Sequence, residues 1–488
     1  MKRFQIMPNY RILGVVFILM IVLTGCSITL EKSRKPNKDF SRGLPLATNA
    51  SSSIAYTVEP AGDRIQVVIP YLKDNAQPAF RYLQLNEHAD ILLDIDIDFD
   101  LERYARSPRM ISNGEYLHLI WASREDISEG WHLNYLMVDQ QGKAASAPVG
   151  ISEKSESVSQ HQIVNDPAGS AIILWEEAGT GKTKYSQISS AGKLISPVKG
   201  LVERGEDPSL GLDQEGNYHL VWMDGDDLKY KEFGLLETLP LSGNTLTRIP
   251  VSVGNVREGP VLGFDEGYVY VFWSILRQTG LEAGTASTDY VVFEIGNPGQ
   301  LQKERLNIYP DSEGLFESYQ GDYNLSQLIP PPQEDYFSTN FIYAPNPNST
   351  SGNALAVAIA ANQEVRLDDY VQIAVGIFTD GEYQGYTLAT RTTQISRNAV
   401  VERDQAGNLY LIWHEGAAGK NLFYSTTALE GKAALDRFSF SDLPNLILSG
   451  SLEAVIGILL FPFAFPWMFI GLVIMIVWRL VRNDEDIS

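Results

Sequence analysis

Asp213-Gln214-Glu215-Gly216-Asn217, followed by Tyr218-His219-Leu220-Val221-Trp222, is the stretch that decides the fold. An acidic residue, a glycine-bearing turn and an alternating run ending at tryptophan read as a tight turn feeding a strand. The unit recurs along the chain. Asp166 to Gly169 leads into AIILW and Trp175, Asp265 to Gly267 into YVYVFW and Trp273, and Asp404 to Asn408 into LYLIW and Trp413. A degenerate copy, Asn113-Gly114, precedes YLHLIW and Trp121. Trp121, Trp175, Trp222 and Trp273 stand about 50 residues apart. The interval to Trp413 accommodates one longer, weaker copy around LAVAIA at 355–360. After each tryptophan a polar turn precedes a strand carrying an aromatic, such as Tyr185, Tyr230 or Tyr424. A further strand-like stretch closes the unit.

Repeats of this length holding four short strands imply blades of a propeller, because one blade cannot bury both of its faces alone. The expectation is an all-β chain with a single β-propeller of about seven four-stranded blades over 54–445; six or eight blades also fit. The blades are expected to begin near 54, 108, 159, 208, 258, 335 and 397, with the tryptophans packed between them. Residues 306–350, with Pro330-Pro331-Pro332 and Pro345 to Thr350, read as an insertion, either a functional loop or a disordered excursion.

The repeat D-x-x-G-N, alternating strand, tryptophan, then tyrosine, resembles the sialidase-superfamily β-propellers of bacteria. It departs from that family's Asp-box, in which the tryptophan lies much closer to the glycine. The resemblance implies a scaffold with a ligand or active site on one face, and does not imply sialidase activity.

The two ends of the chain carry membrane signals. Lys2, Arg3 and Arg11 precede an apolar stretch from Ile12 to Leu23, the pattern of a secretory signal over 1–25. Leu23-Thr24-Gly25-Cys26 resembles the bacterial lipobox, which implies cleavage before Cys26 and lipid attachment to it; the other reading is an uncleaved helix with an incidental thiol. A tether, 26–53, follows, locally basic through Lys32, Arg34, Lys35, Lys38 and Arg42, so that it either lies on anionic headgroups or is a solvated linker. Ala454 to Trp478 contains no charged residue and is long enough to cross a bilayer. With Arg479 and Arg482 beyond it, 454–482 reads as a transmembrane helix and 483–488 as a cytoplasmic tail. Pro462 and Pro466 either kink that span or turn it back as a re-entrant hairpin. Both signals place the ectodomain on the extracytoplasmic side of a bacterial cell membrane.

Net charge −22, from 38 basic and 60 acidic residues, disfavours nucleic-acid binding, which needs clustered Lys and Arg. Cys26 is the sole cysteine, so no intrachain disulfide can form and the core must hold the fold. Six histidines without paired metal spacing argue against zinc. Gly179 to Thr183 imitates a phosphate loop but has Glu176 at its first glycine position and lies in a hairpin, so it is rejected.

In a four-stranded meander the turn after the tryptophan strand always falls on the same rim. Ser123, Arg124, Glu125 and Asp126 should therefore share one face with Glu176, Glu177, Asp224, Asp226, Asp227, His414 and Glu415. Such hard oxygen ligands suit calcium, and an acidic rim would attract a cationic partner; ordinary hydrophilic loop tips are the plainer explanation. Asp94, Asp96, Asp98 and Asp100 alternate on one strand face and read as a charged outer edge, with a calcium site as the second reading. Thr247-Arg248-Ile249-Pro250 resembles the Arg-Ile-Pro motif of sialidases but lies mid-chain. The leading functional reading is a membrane-anchored, non-enzymatic module that binds a protein or glycan. The alternative is a sialidase-like glycoside hydrolase, which would need an axial pocket with a carboxylate pair, or a tyrosine with arginines.

Overall fold

The computed structural model describes residues 38–437 and 470–479, apart from 51–52, 60–61, 74–75, 167–168, 235–238, 313, 334–337, 349–351, 366–367 and 417–419. Seven four-stranded antiparallel sheets form the blades of an all-β propeller. Blade 1 runs from Ala55–Val58 to Ile91–Asp96, blade 2 from Tyr104–Ser112 to Val149–Gly150, and blade 3 from Val158–Asn165 to Leu194–Val202. Blade 4 runs from Glu206–Leu212 to Asn244–Arg248, blade 5 from Val256–Phe264 to Gln302–Arg305, and blade 6 from Ile342–Pro347 to Glu382–Leu388. The first strand of every blade touches the first strand of the next, and blade 7 touches blade 1, so these strands line the axis of a closed ring.

Blade 7 is completed from the other end of the chain. Ser396–Arg403, Leu409–Glu415 and Asn421–Thr426 supply three strands, and Leu44–Ala47 pairs antiparallel with the third. The sequence places 44–47 in the tether, because a four-residue strand with no turn signal of its own has no visible period. Leu46 and Ala47 enter a core cluster that joins blades 7 and 1 with Leu435 of the helix Leu429–Leu435.

The repeated aspartate is a buried turn clamp. Asp213 Oδ1 accepts the Asn217 N–H at 2.8 Å while Oδ2 accepts Asn217 Nδ2 at 2.9 Å and His219 Nε2 at 3.0 Å. Asp404 does the same with Asn408 and with the Tyr410 hydroxyl at 2.9 Å. The glycine in this turn sits at positive φ, +85° for Gly216 and +79° for Gly407, and a Cβ on Gly407 would lie 2.1 Å from the Asp322 carbonyl oxygen. The aromatic after the turn has a partner too: Tyr230 OH bonds His219 Nδ1 at 2.7 Å.

Trp121, Trp175, Trp222, Trp273 and Trp413 are all buried. Trp121 packs with Phe80 and Tyr82 of the preceding blade, and Trp175 with Ile120 and Leu133 of blade 2. Residues 306–341 form the insertion; 342–347 already belong to blade 6. It is packed, not an excursion: Leu306, Ile308 and Ile329 are buried, and Ile329 exchanges both backbone hydrogen bonds with Tyr386 on the outer strand of blade 6.

The signal 1–25, Cys26, most of the predicted span 454–482 and the tail lie outside the described residues. Residues 470–479 are helical and exposed, and among the described residues no helix is long and apolar enough to cross a membrane.

Removing residues 1–47 leaves blade 7 with three strands and uncovers the cluster around Leu46. By calorimetry such a chain is expected to melt several degrees below one that starts at residue 38, whereas starting at 38 should leave the ectodomain transition unchanged.

Candidate functional site at the mouth of the central channel

Six of the seven inner strands break register at one place. The shifts fall between Arg106 and Arg109, Val158 and His161, Glu206 and Ser209, Glu258 and Val261, Tyr343 and Asn346, and Arg397 and Val400. At this bulge Ser107, Asp207, Gly259, Ala344 and Asn398 have φ of +50°, +51°, +87°, +53° and +51°. Proline follows four of them, at 108, 208, 260 and 345. A bulge leaves one residue unpaired and bends its strand. Non-glycine residues held at positive φ are uncommon and persist only where surrounding structure imposes them.

The bulges place one residue from each of six blades at the same level of the axis: Arg106, Val158, Glu206, Glu258, Tyr343 and Arg397. All but Val158 retain solvent exposure, and next to Val158 the bulge residue Ser159 is exposed. Residues just beyond the bulges knit neighbouring blades together. Gln162 Oε1 accepts the Leu210 N–H at 2.8 Å, Ser209 Oγ the Leu262 N–H at 3.2 Å, and Asn346 Nδ2 donates to the Ala399 carbonyl at 3.0 Å. Interblade bonds thus hold the ring, while the side chains at its inner edge are left for other work.

Charge is unevenly distributed around the mouth. On blades 4 and 5, Arg257 sits 3.9 Å from Glu206 and 3.8 Å from Asp207. Asp207 also accepts Gln160 Nε2 at 2.5 Å, and burial raises its carboxyl pKa despite Arg257. Burial also raises the Tyr343 phenol, with a further upward push from its hydrogen bond to the Glu258 carboxylate. On blades 2 and 3 the balance is positive. Arg106 and Arg124 lie over the Trp131 ring at 4.1 and 4.3 Å. His161, buried beside them, gives its Nε2–H to the Ser107 carbonyl at 2.6 Å. Burial, with Arg109 and Arg106, pulls its pKa down to about 3, so it is neutral.

The residues expected to form an acidic rim follow the tryptophan strands on this same side, but they do not converge. Glu177 pairs with Lys184 at 3.0 Å, and Asp226 and Asp227 with Arg248 at 3.2 and 3.5 Å. Asp126 Oδ1 accepts the N–H and hydroxyl of Ser128, and the Glu125 N–H is held by Glu129. Asp224 is exposed. His414 and Glu415 are buried, and Glu415 accepts the Trp413 indole N–H at 3.1 Å, with burial raising its carboxyl. Glu176 alone reaches the ring, where its Oε2 accepts the Asp207 N–H at 3.1 Å. The reason is geometric: successive blades fan outward, so their strand ends separate, and Glu177, Asp226 and Asp227 find partners within their own blades. Among the described residues the only three ligand atoms of His, Cys, Asp or Glu gathered within 4.8 Å of one another belong to Glu87, His88 and Glu430, on the opposite rim. Asp94 and Asp96 lie on the outer strand of blade 1, matched by Arg81 at 2.5 Å and Lys73 at 2.8 Å, a charged edge. Arg248 of the Arg-Ile-Pro stretch lies on blade 4's outer strand, where it pairs with Asp226 and Asp227, away from the inner ring.

The ring itself was not among the features expected from the sequence. Its signal was present as Ser107-Pro108, Asp207-Pro208, Gly259-Pro260 and Ala344-Pro345, each about 50 residues after the last apart from the weak third copy and the longer stretch before blade 6.

No protein-family profile and no curated protein matches the chain. Among solved structures it is similar to the Dos1 propeller, at 8% identity over 80% of this chain and 95% of that one, TM-score 0.41. It is also similar to an endo-arabinase from Bacteroides thetaiotaomicron, at 10% identity over 81% and 97%, TM-score 0.34. A subtype N10 neuraminidase-like protein of A/little yellow-shouldered bat is similar at 6% identity over 80% and 98%, TM-score 0.35. No residue role is drawn from likenesses this distant.

The low pKa of His161 has a pH consequence. Its folded value, about 3, lies below the ordinary 6.5, so its contribution to stability is whole above pH 6.5 and is lost as pH falls towards 3. In urea unfolding, wild type is expected to lose more stability than His161→Gln between pH 7 and pH 4.5, and equal losses would contradict the assignment.

Proposed function

We propose that this chain is a membrane-anchored display module that binds a protein or glycan ligand at the mouth of its propeller channel. The observation that carries the reading is the bulge ring. One scaffold position, repeated in six blades, bears arginine, valine, two glutamates, tyrosine and arginine in turn. A purely structural position would repeat its residue, as the turn aspartates and the tryptophans do.

The chain ends fit an anchored module. Leu44–Ala47 begins beside the end of the strand Asn421–Thr426, on the rim opposite the channel mouth. The Arg42 N–H donates to Asp436 Oδ1 at 3.0 Å, and Lys432 Nζ donates to the Lys38 carbonyl. Chain therefore enters and leaves the propeller at one spot, away from the ring. A lipid on Cys26 and a transmembrane helix over 454–482 would tether the chain at both of its ends. A spanning helix gives permanence, and the lipid adds a second tether.

A second reading is favoured by one pair. Tyr343 hydrogen-bonded to Glu258 is the arrangement of a phenol that a carboxylate can activate as a nucleophile. With Arg397 on the next blade it would suit a sialidase-like hydrolase.

Full-length protein in mild detergent is expected to retain a stoichiometric partner or to bind on a glycan array. Glu258→Gln and Arg397→Ala should each weaken that binding roughly tenfold or more, while Asp94→Asn on the outer edge should not. An empty array together with no co-purifying partner would overturn the reading. For the second reading, wild type should turn over a fluorogenic sialoside and Tyr343→Phe should lose about a hundredfold or more; no turnover by wild type removes that reading and leaves the first.

A further inference from the structure

The arginines of blade 2 are unusual in their company. Arg106 stands at the bulge, Arg109 just beyond it, and Arg124 at the end of the neighbouring strand on the same rim. Among the described residues no carboxylate oxygen comes within 4.0 Å of any of the three. Their hydrogen bonds go to backbone carbonyls at 3.3 Å: Val158 for Arg106, Pro108 for Arg109 and Glu129 for Arg124. The Nε of Arg124 is buried with no acceptor. Several guanidiniums elsewhere are matched. Arg81 has Asp94, Arg248 has Asp226, Arg257 has Asp207 and Arg305 has Asp289. In a chain with 60 acidic and 38 basic residues, three clustered arginines without a carboxylate are not a product of composition.

The cluster is also unfavourable as it stands. Burial pushes the Arg106 guanidinium down, and Arg124 adds repulsion. Burial alone pushes Arg109 down, although its side chain retains solvent exposure, as befits a group walled by protein but open to a channel. Asp126 is attracted through space by Arg124 and Arg103, but its Oδ1 is taken by Ser128. Like charges gathered in a partly desolvated place need a counter-charge. Planar guanidiniums laid over an indole keep their N–H edges directed outward, the geometry that receives an oxyanion.

The geometry points to an oxyanion site on the blade 2 side of the channel mouth, in which Arg106, Arg109 and Arg124 take the carboxylate, sulfate or phosphate group of an incoming ligand. This rests on the reading that the mouth is the binding face and gives the ligand its chemical class. His161 serves the site by staying neutral: a fourth cation would only add repulsion, and Ser107, whose carbonyl it holds, lies inside the bulge between Arg106 and Arg109.

The test is thermal shift and isothermal titration of the detergent-solubilised full chain with glucuronate, sulfate and inorganic phosphate. Glucose is the neutral control, and chloride is used at matched ionic strength. At least one oxyanion should raise Tm and bind saturably, with glucose and chloride inert; which one responds identifies the source of the group. Arg106→Met and Arg109→Met should each weaken binding roughly tenfold or more, and Arg305→Met should not. Without anion, Arg109→Met should melt at or above wild type, because it removes an uncompensated cation; this readout also shows that the variant folds. Equal responses to oxyanions and chloride, or full binding by both channel variants, would overturn the inference. A ligand that depends on Glu258 and Arg397 but is not displaced by any oxyanion would overturn it while leaving the binding mouth intact.

Discussion

Everything in this molecule depends on closing a ring. Each blade buries one face against its predecessor and the other against its successor, so a row of blades with free ends would expose two apolar sheets. The chain solves this by giving blade 7 a strand from the N-terminal side, Leu44–Ala47, antiparallel to Asn421–Thr426. Asp39 adds a clasp at the same seam, where its Oδ1 accepts the N–H of Ser326 at 2.8 Å and the Ser326 hydroxyl at 2.6 Å. The insertion is thereby stitched to the closure point. A cavity of about 740 Å³ opens beside it, lined by Asp39, Ser326, Asp404, Tyr410 and Lys432. Stability and terminal geometry are consequently one problem. The segment that locks the ring is also the segment that would tether it.

Closure frees the inner edge for display. The outer parts of the blades are uniform because all of them must pack against neighbours in the same way. Interblade tryptophans repeat in five of the seven blades, at 121, 175, 222, 273 and 413, and a turn aspartate precedes four of them. The inner bulges repeat only in backbone shape. A chain that holds serine, aspartate, alanine and asparagine at positive φ at equivalent positions carries strain where a regular strand would carry none. The side chains beside those positions separate by charge, carboxylates with Arg257 on blades 4 and 5, unmatched guanidiniums on blade 2. A ligand crossing the mouth would meet both signs.

The fold was largely legible because its signals are local. Turn, alternation and tryptophan occur within about ten residues of one another, and their spacing gives the blade period. What escaped was either too short or not local. Leu44–Ala47 has no partner until the chain has closed on itself, so nothing near it in sequence marks it as a strand. Strand parity puts the acidic residues after the tryptophans at corresponding ends of their strands. Parity says nothing about radius, however, and Glu177, Asp226 and Asp227 are spent on lysine and arginine within their own blades. The ring residues escaped for the opposite reason: Arg106, Glu206, Glu258, Tyr343 and Arg397 have no one side-chain type common to all. Only the proline two places on, at 108, 208, 260 and 345, marks four of their five strands as bent at the same point.

The central claim is that the ring side of the propeller, and not the seam side, meets the ligand. Site-specific photo-crosslinking in cells tests this directly, with the reactive residue placed at Arg397 or Ser159 on the ring and at Glu87 or Leu429 on the opposite rim. The account predicts discrete adducts, identified by mass spectrometry, from the ring positions and none in common with the seam positions. Adducts from Glu87 or Leu429 with silent ring positions would contradict it.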